Sequence, residues 1–377
     1  MKALITSILV ALLSVVIHAQ DENATVGAKT ERFKVKAGEF LEVNLNVADV
    51  EITTSNENEV AVEIPEMNEE ERDNLKITQS GSAVRVSMMD GWDDLTFRIK
   101  IPEAFSINVR LQSGSISVNG DLRGEVKVAT AGGDIRLSSV TGRVDVNTMG
   151  GEIATGNING DVILNTSGGD ISMGNIEGEG EIKTMGGEIR LKNVTKRLSA
   201  RTYGGDIQIG RIGGDADVST YGGEINVQNV EGRAHLYTAG GDIVLAGSSG
   251  KVDMKTNGGN LTLKNITGSI NGSTSSGDVT LEMDPKGKGE SRINTSAGTI
   301  TLLVPASAKA NIEARIKVNG YWKRNKDSFH ITSDFKAEES SRAENERMIK
   351  ENYQLNGGGE RIILETINSD IQIKKIK

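Results

Sequence analysis

Beyond residue 30, apolar and polar positions alternate with a period of two along most of the chain. Between Glu125 and Leu281 that alternation is locked into a unit of 18 residues. In the first unit Val126, Val128 and Thr130 alternate with Lys127 and Ala129, and Ile135 and Leu137 alternate with Asp134 and Arg136. Alternation of this kind predicts short strands with one face buried. A threonine marks every unit: Thr130, Thr148, Thr166, Thr184, Thr202, Thr220, Thr238, Thr256 and Thr274. After one variable residue comes a glycine pair, from Gly132-Gly133 to Gly258-Gly259, with Ser276-Gly277 in the last unit. A second bend is expected at Val140-Thr141-Gly142 and its repeats. Each unit then reads as one coil of two strands and two bends. A single coil cannot bury its own inner face, so the coils must stack, with strands about 4.8 Å apart. The predicted fold is all-β: a parallel β-solenoid, or β-helix, of 18-residue coils, with the threonine hydroxyls turned inward to backbone groups at the bend. The glycine pairs, Gly169 and Gly205 among them, are expected to supply positive φ.

The rest of the chain is organised around these coils. Residues 1–19 carry Lys2, an apolar run from Ala3 to Ile17 and Ala19 at a cleavage position, the pattern of a secretory signal. Residues 20–30 read as a flexible leader. Residues 31–104 keep the period of two without the repeat, in Leu41 to Leu45, Val60 to Ile64 and Leu95 to Ile101. They are expected to be strands capping the first coil, with acidic Glu66 to Asp73 as a solvated loop. The solenoid is assigned to 105–304. A C-terminal cap is assigned to 305–377, in which Thr366 to Ile373 restores the repeat phrase as the last rung. Within it, Lys336 to Tyr353 reads as a loop or short helix, and Tyr321-Trp322 is the densest aromatic spot.

A net charge of −9 argues against nucleic acid or an anionic membrane as partner. There is no cysteine, which excludes disulfides and a lipid-anchored cysteine. No second long apolar run follows the signal, so no transmembrane span is expected after its removal.

The threonine, glycine-pair, acid, isoleucine phrase follows a lead-in ending Ile101-Pro102 and is succeeded by Leu303-Val304-Pro305 and the return from Gly358-Gly359 to Ile373. Together these resemble a bacterial domain-of-unknown-function family labelled putative adhesin, related to head GIN-type adhesin domains. The resemblance spans roughly 30–377. It implies a β-solenoid in the envelope or outside the cell and brings no catalytic residues with it.

Candidate chemistry is sparse. After the signal only His235 and His330 remain as histidines, and neither sits in a nucleophile-elbow phrase. A carbohydrate-active enzyme, such as a β-helix polysaccharide lyase, is the alternative from another class. Such enzymes wall a cleft with loops grown from their coils, and eight successive 18-residue steps here admit none. The acids after the glycine pairs, Asp134, Glu152, Asp170, Glu188, Asp206, Glu224 and Asp242, form a column that calcium is one candidate to occupy. The acid follows the glycines directly and lacks a second acid at calcium-roll spacing, so a solvated row is the preferred reading. Their Asp–Glu alternation suggests growth by duplication of coil pairs. No cofactor is called for, and no Gly-Lys-Ser/Thr follows the glycine pairs to make a phosphate cradle. Tyr203 and Tyr221, one coil apart, are a possible binding face, although Met149 and Met185 in the same column favour plain corner packing. The expectation is a non-catalytic secreted, periplasmic or surface scaffold. Its partner would be a glycan, an envelope protein or a second copy of itself.

Overall fold

The computed structural model describes residues 25–26, 28–89, 95–287, 289–319, 328–342 and 348–376. The expected signal, most of the expected leader and Tyr321-Trp322 lie outside them. The chain is a stack of parallel coils. Val126–Ala129 forms what we call the front face and Ile135–Leu137 the back face. Pairing steps by one repeat throughout, Val126 on Val144 and Ile135 on Ile153. Two strands and two bends understate the coil, because Val140–Thr141 makes a short third side. Val140, Ile158, Ile176 and Val194 all point inward there, and a third apolar column needs a third wall. In several later coils the back strand runs straight into it, as in Ile189–Val194.

The threonine column does turn inward, and its hydroxyls tie coil to coil. Thr166 Oγ1 donates to the Gly151 carbonyl of the preceding coil at 2.9 Å and accepts the Gly169 N–H of its own coil at 3.3 Å. The same pair of bonds recurs from Thr148 to Thr256. The glycine expectation needs correcting. Gly169 and Gly205 are not among the positive-φ residues. They are glycines because a Cβ on either would stand within about 2 Å of the carbonyl oxygen of the coil below. Close approach of backbone, rather than left-handed geometry, fixes them.

The third column also holds one anomaly. Ser248 stands between Val230 and Ile266, is 4 % exposed, and its hydroxyl has no hydrogen-bond partner. A buried, unsatisfied hydroxyl costs about 1–3 kcal/mol. Ser248→Val should therefore raise stability by about 1 kcal/mol or more, read as a higher melting temperature; a fall would show that the site cannot admit the methyl groups.

Both ends close by interleaving. Phe40–Ser55, 16 residues long, bends from the front face to the back. Its first half lies between Ala83–Met88 and Ser106–Ser113, its second between Leu95–Pro102 and Ile116–Asn119, all parallel. At the far end Glu360–Ile367 lies between Ser291–Thr295 and Ala310–Lys317, and Ile371–Lys375 between Ile300–Val304 and Ile331–Ser333. The returning phrase is thus not the last rung: earlier chain is stacked outside it. Antiparallel strands finish each end, Lys76–Ser80 at one and Met348–Leu355 at the other.

Two local expectations are overturned. Lys336 to Tyr353 contains strands, Glu339–Arg342 and the start of Met348–Leu355, because Ile349, Tyr353 and Leu355 alternate into the core. Glu66 to Asp73 is not a loop but includes a helix, Glu69–Asn74. Asn68 accepts the Glu71 N–H while Glu71 accepts the Asn68 N–H, a reciprocal cap that nucleates the turn.

On the outer surface of the closing rungs, Glu313 collects Lys350, Arg315 and Arg361. Burial alone would raise its carboxyl, but hydrogen bonds from these three cations outweigh that and hold it at about 2, against an ordinary 4.5. A depressed carboxyl stabilises the fold fully above its unfolded value and loses that stabilisation as pH falls toward the folded one. Between pH 4.5 and about 2 the C-terminal end should weaken by roughly 2 kcal/mol. Thermal melts against pH check this, and a parent slope no steeper than that of Glu313→Gln would refute it.

Candidate binding face

The acid column is structurally committed. Asp134 accepts the Glu152 N–H at 2.9 Å, Asp170 the Glu188 N–H at 2.8 Å, Asp206 the Glu224 N–H at 2.8 Å and Asp242 the Asn260 N–H at 2.7 Å. Each short carboxylate bonds the backbone of the next coil. The glutamates in the intervening coils make no such bond. Arg136 and Arg190 pair with acids of the column. The Asp–Glu alternation therefore follows a two-coil hydrogen-bond rhythm. Among the described residues no three His, Cys, Asp or Glu side chains gather as a metal site. His235 is exposed on the front face, and His330 lies at the far end, where its backbone N–H bonds Asp370.

Tyr203 and Tyr221 stack at the corner that ends the front strands, ring centroids 5.3 Å apart and planes 3° from parallel. Tyr237, on the outer front face, meets Tyr221 edge-on at 6.3 Å and 87°. Tyr237 occupies a different position of the coil from Tyr203 and Tyr221, and the strand end brings it to the pair. Corner packing explains the stack but not the exposure, 62 % for Tyr203 and 58 % for Tyr221. Met149 and Met185 continue the ridge, also exposed.

Beside the ridge the front face carries a groove. Two hollows, of about 430 and 360 Å³, share Arg197 and Asp217 and together reach from Arg143 to Asp253. They open over Gly180, Ala216 and Ala234. Val162, which also lines the first hollow, and Leu198 share that inward column with them. This groove escaped the sequence reading.

The groove is polar and balanced. In the first hollow Arg143, Lys183, Arg197 and Arg201 face Asp161, Glu179, Glu181 and Asp217; in the second Arg197, Arg233 and Lys251 face Asp215, Asp217 and Asp253. Most are paired: Lys183 with Glu181, Arg201 with Asp217, Arg233 with Asp215 at 2.8 Å and Lys251 with Asp253 at 3.8 Å. The hydrogen bond from Lys183 holds Glu181 below the usual carboxylate range, and that from Arg233 does the same for Asp215. Acids kept ionised in this way are poor proton donors.

A family profile described as Toastrack DUF4097 matches residues 39–216 and 213–320. The chain belongs to the Toastrack DUF4097 family. The matches cover the groove and the ridge of this Toastrack protein and stop before the closing rung at 360–375. Among solved structures, a putative adhesin from Bacteroides fragilis NCTC 9343 is 14 % identical, with 64 % of this chain and 95 % of that one covered and a TM-score of 0.28. A putative adhesin from Parabacteroides merdae ATCC 43184 is 11 % identical, over 93 % and 97 % of the two chains, with a TM-score of 0.26. A putative lipid binding protein from Parabacteroides distasonis ATCC 8503 is 14 % identical, over 93 % and 97 %, with a TM-score of 0.22. No curated protein matches. No helix among the described residues is long and apolar enough to cross a membrane.

Proposed function

We propose that this Toastrack protein is a non-catalytic scaffold, exported to the envelope or beyond, that holds an extended partner along its front face. The observation that carries the reading is the groove itself, which runs along the solenoid axis on a face that eight equal coils leave free of loops. A loop-free face supports lateral binding of a long ligand and offers no walls to exclude water from a reaction. The ion-paired groove acids fit the same reading. Export rests on the signal pattern in residues 1–19.

Purified mature chain should co-sediment saturably with envelope material of the source cells while releasing no sugar fragments from it. Surface protease shaving of intact cells would report whether the chain is periplasmic or external. Release of unsaturated oligosaccharides would instead establish a lyase and overturn the scaffold reading.

A further inference from the structure

The chemistry of the front face narrows the class of partner, on the premise that this is the binding face. We infer that the groove and the tyrosine ridge take an uncharged glycan chain, laid along the axis over the coils that carry Tyr203, Tyr221 and Tyr237.

Charge supplies the first argument. Each hollow presents as many cations as acids, so a polyanion would meet as much repulsion as attraction. Most of these charges already satisfy one another, yet ion-paired Arg, Lys, Asp and Glu retain spare donors and acceptors at their rims. Sugar hydroxyls both donate and accept, which is what such a mixed row can use. Composition supplies the second. The floor offers one partly exposed large apolar side chain, Ile163, amid ionic groups, whereas the core of a protein interface is depleted of charge. Glycan chemistry fits this surface better than a protein partner does.

Preorganisation supplies the third argument. The Tyr203–Tyr221 stack and the edge contact from Tyr237 fix three rings before any ligand arrives. Rings held in this way lose little rotamer freedom on binding; Tyr203 and Tyr221 turn one face on each other, so a chain laid along the axis meets their exposed edges. Length supplies the fourth. From Arg143 to Lys251 is six coil steps, about 29 Å at about 4.8 Å per coil, room for several sugar units in a row.

Titration calorimetry of the full mature chain with a panel of neutral hexasaccharides and their uronic-acid counterparts tests this. At least one neutral hexasaccharide should bind, no uronic-acid oligomer should bind more tightly, and the double variant Tyr203→Ala, Tyr221→Ala should weaken Kd about tenfold or more. Both rings are exposed, so the variant should melt close to the parent temperature; Arg201→Ala is a second variant from the groove side and should also weaken binding. Indifference to every neutral oligomer, a preference for acidic ones, or binding unchanged in both variants would overturn the assignment. If envelope binding persists in any of these cases, only the glycan assignment falls. If the chain binds neither sugars nor envelope, the scaffold reading falls with it.

Discussion

Gly205→Ala is expected to destabilise the protein by about 4 kcal/mol or more, while Gly204→Ala, one residue away, is expected to be nearly silent. A β-carbon on Gly205 would stand 2.1 Å from the Gly187 oxygen and 2.4 Å from its carbonyl carbon. Both are backbone atoms held in parallel ladders, so neither coil can retreat without breaking pairing on both faces. The bonds of Thr202, to the Gly187 carbonyl and from the Gly205 N–H, would be lost with them. On Gly204 the nearest atom would be 3.4 Å away, ordinary contact. Because each coil touches only its neighbours, damage at the centre of the stack also uncouples its two halves. Urea or thermal melts of the two variants decide it; equal losses would show that the corner needs glycine for flexibility and not for close approach.

Deleting residues 356–377 is the second change with a large expected effect. That segment supplies a rung lying between chain that precedes it on both sides, so its loss opens a slot instead of trimming an end. The rung carries Ile362, Leu364, Ile371 and Ile373, all fully buried, and Thr366, whose hydroxyl donates to the Gly298 carbonyl. It also carries Glu360, a buried carboxylate that accepts the Gly287 N–H and holds the preceding loop. Without it, strands Ser291–Thr295 and Ile300–Val304 would present unpaired edges, which invite association. Hydrogen exchange should reveal lost protection from about Gly268 onward and retained protection from Thr130 to Thr238, with oligomers on size exclusion. Full protection in a monomer would contradict the closing-rung account.

How much of this was legible in the sequence depends on how local each cause is. The coil, the inward threonines and the stacking direction follow from spacing alone, because residue i meets residue i + 18. The interleaved ends do not: nothing local in Phe40–Ser55 says that its neighbours begin at Ala83 and Ser106, since strand pairing is set by what remains to be buried. The helix at Glu69–Asn74 was readable from Asn68 and Glu71, and the acidity of the run obscured it. The Asp–Glu alternation was visible, but its cause is the reach of a short carboxylate to the next coil, a distance that no spacing contains. The groove was not legible, because it is set by where the long side chains of Arg143, Arg197 and Arg233 come to lie beside the outward strand positions.

Hydroxyl-radical footprinting tests the central claim, that the partner lies on the front face, most directly. Met185, Tyr203 and Tyr221 are exposed, oxidisable reporters along the ridge, and Met89, 64 % exposed beside the N-terminal strand Ala83–Met88, is a built-in control. With saturating envelope extract, oxidation of the three ridge residues should fall severalfold while Met89 stays unchanged. Protection of Met89 with the ridge still fully reactive would place the partner elsewhere and contradict the account.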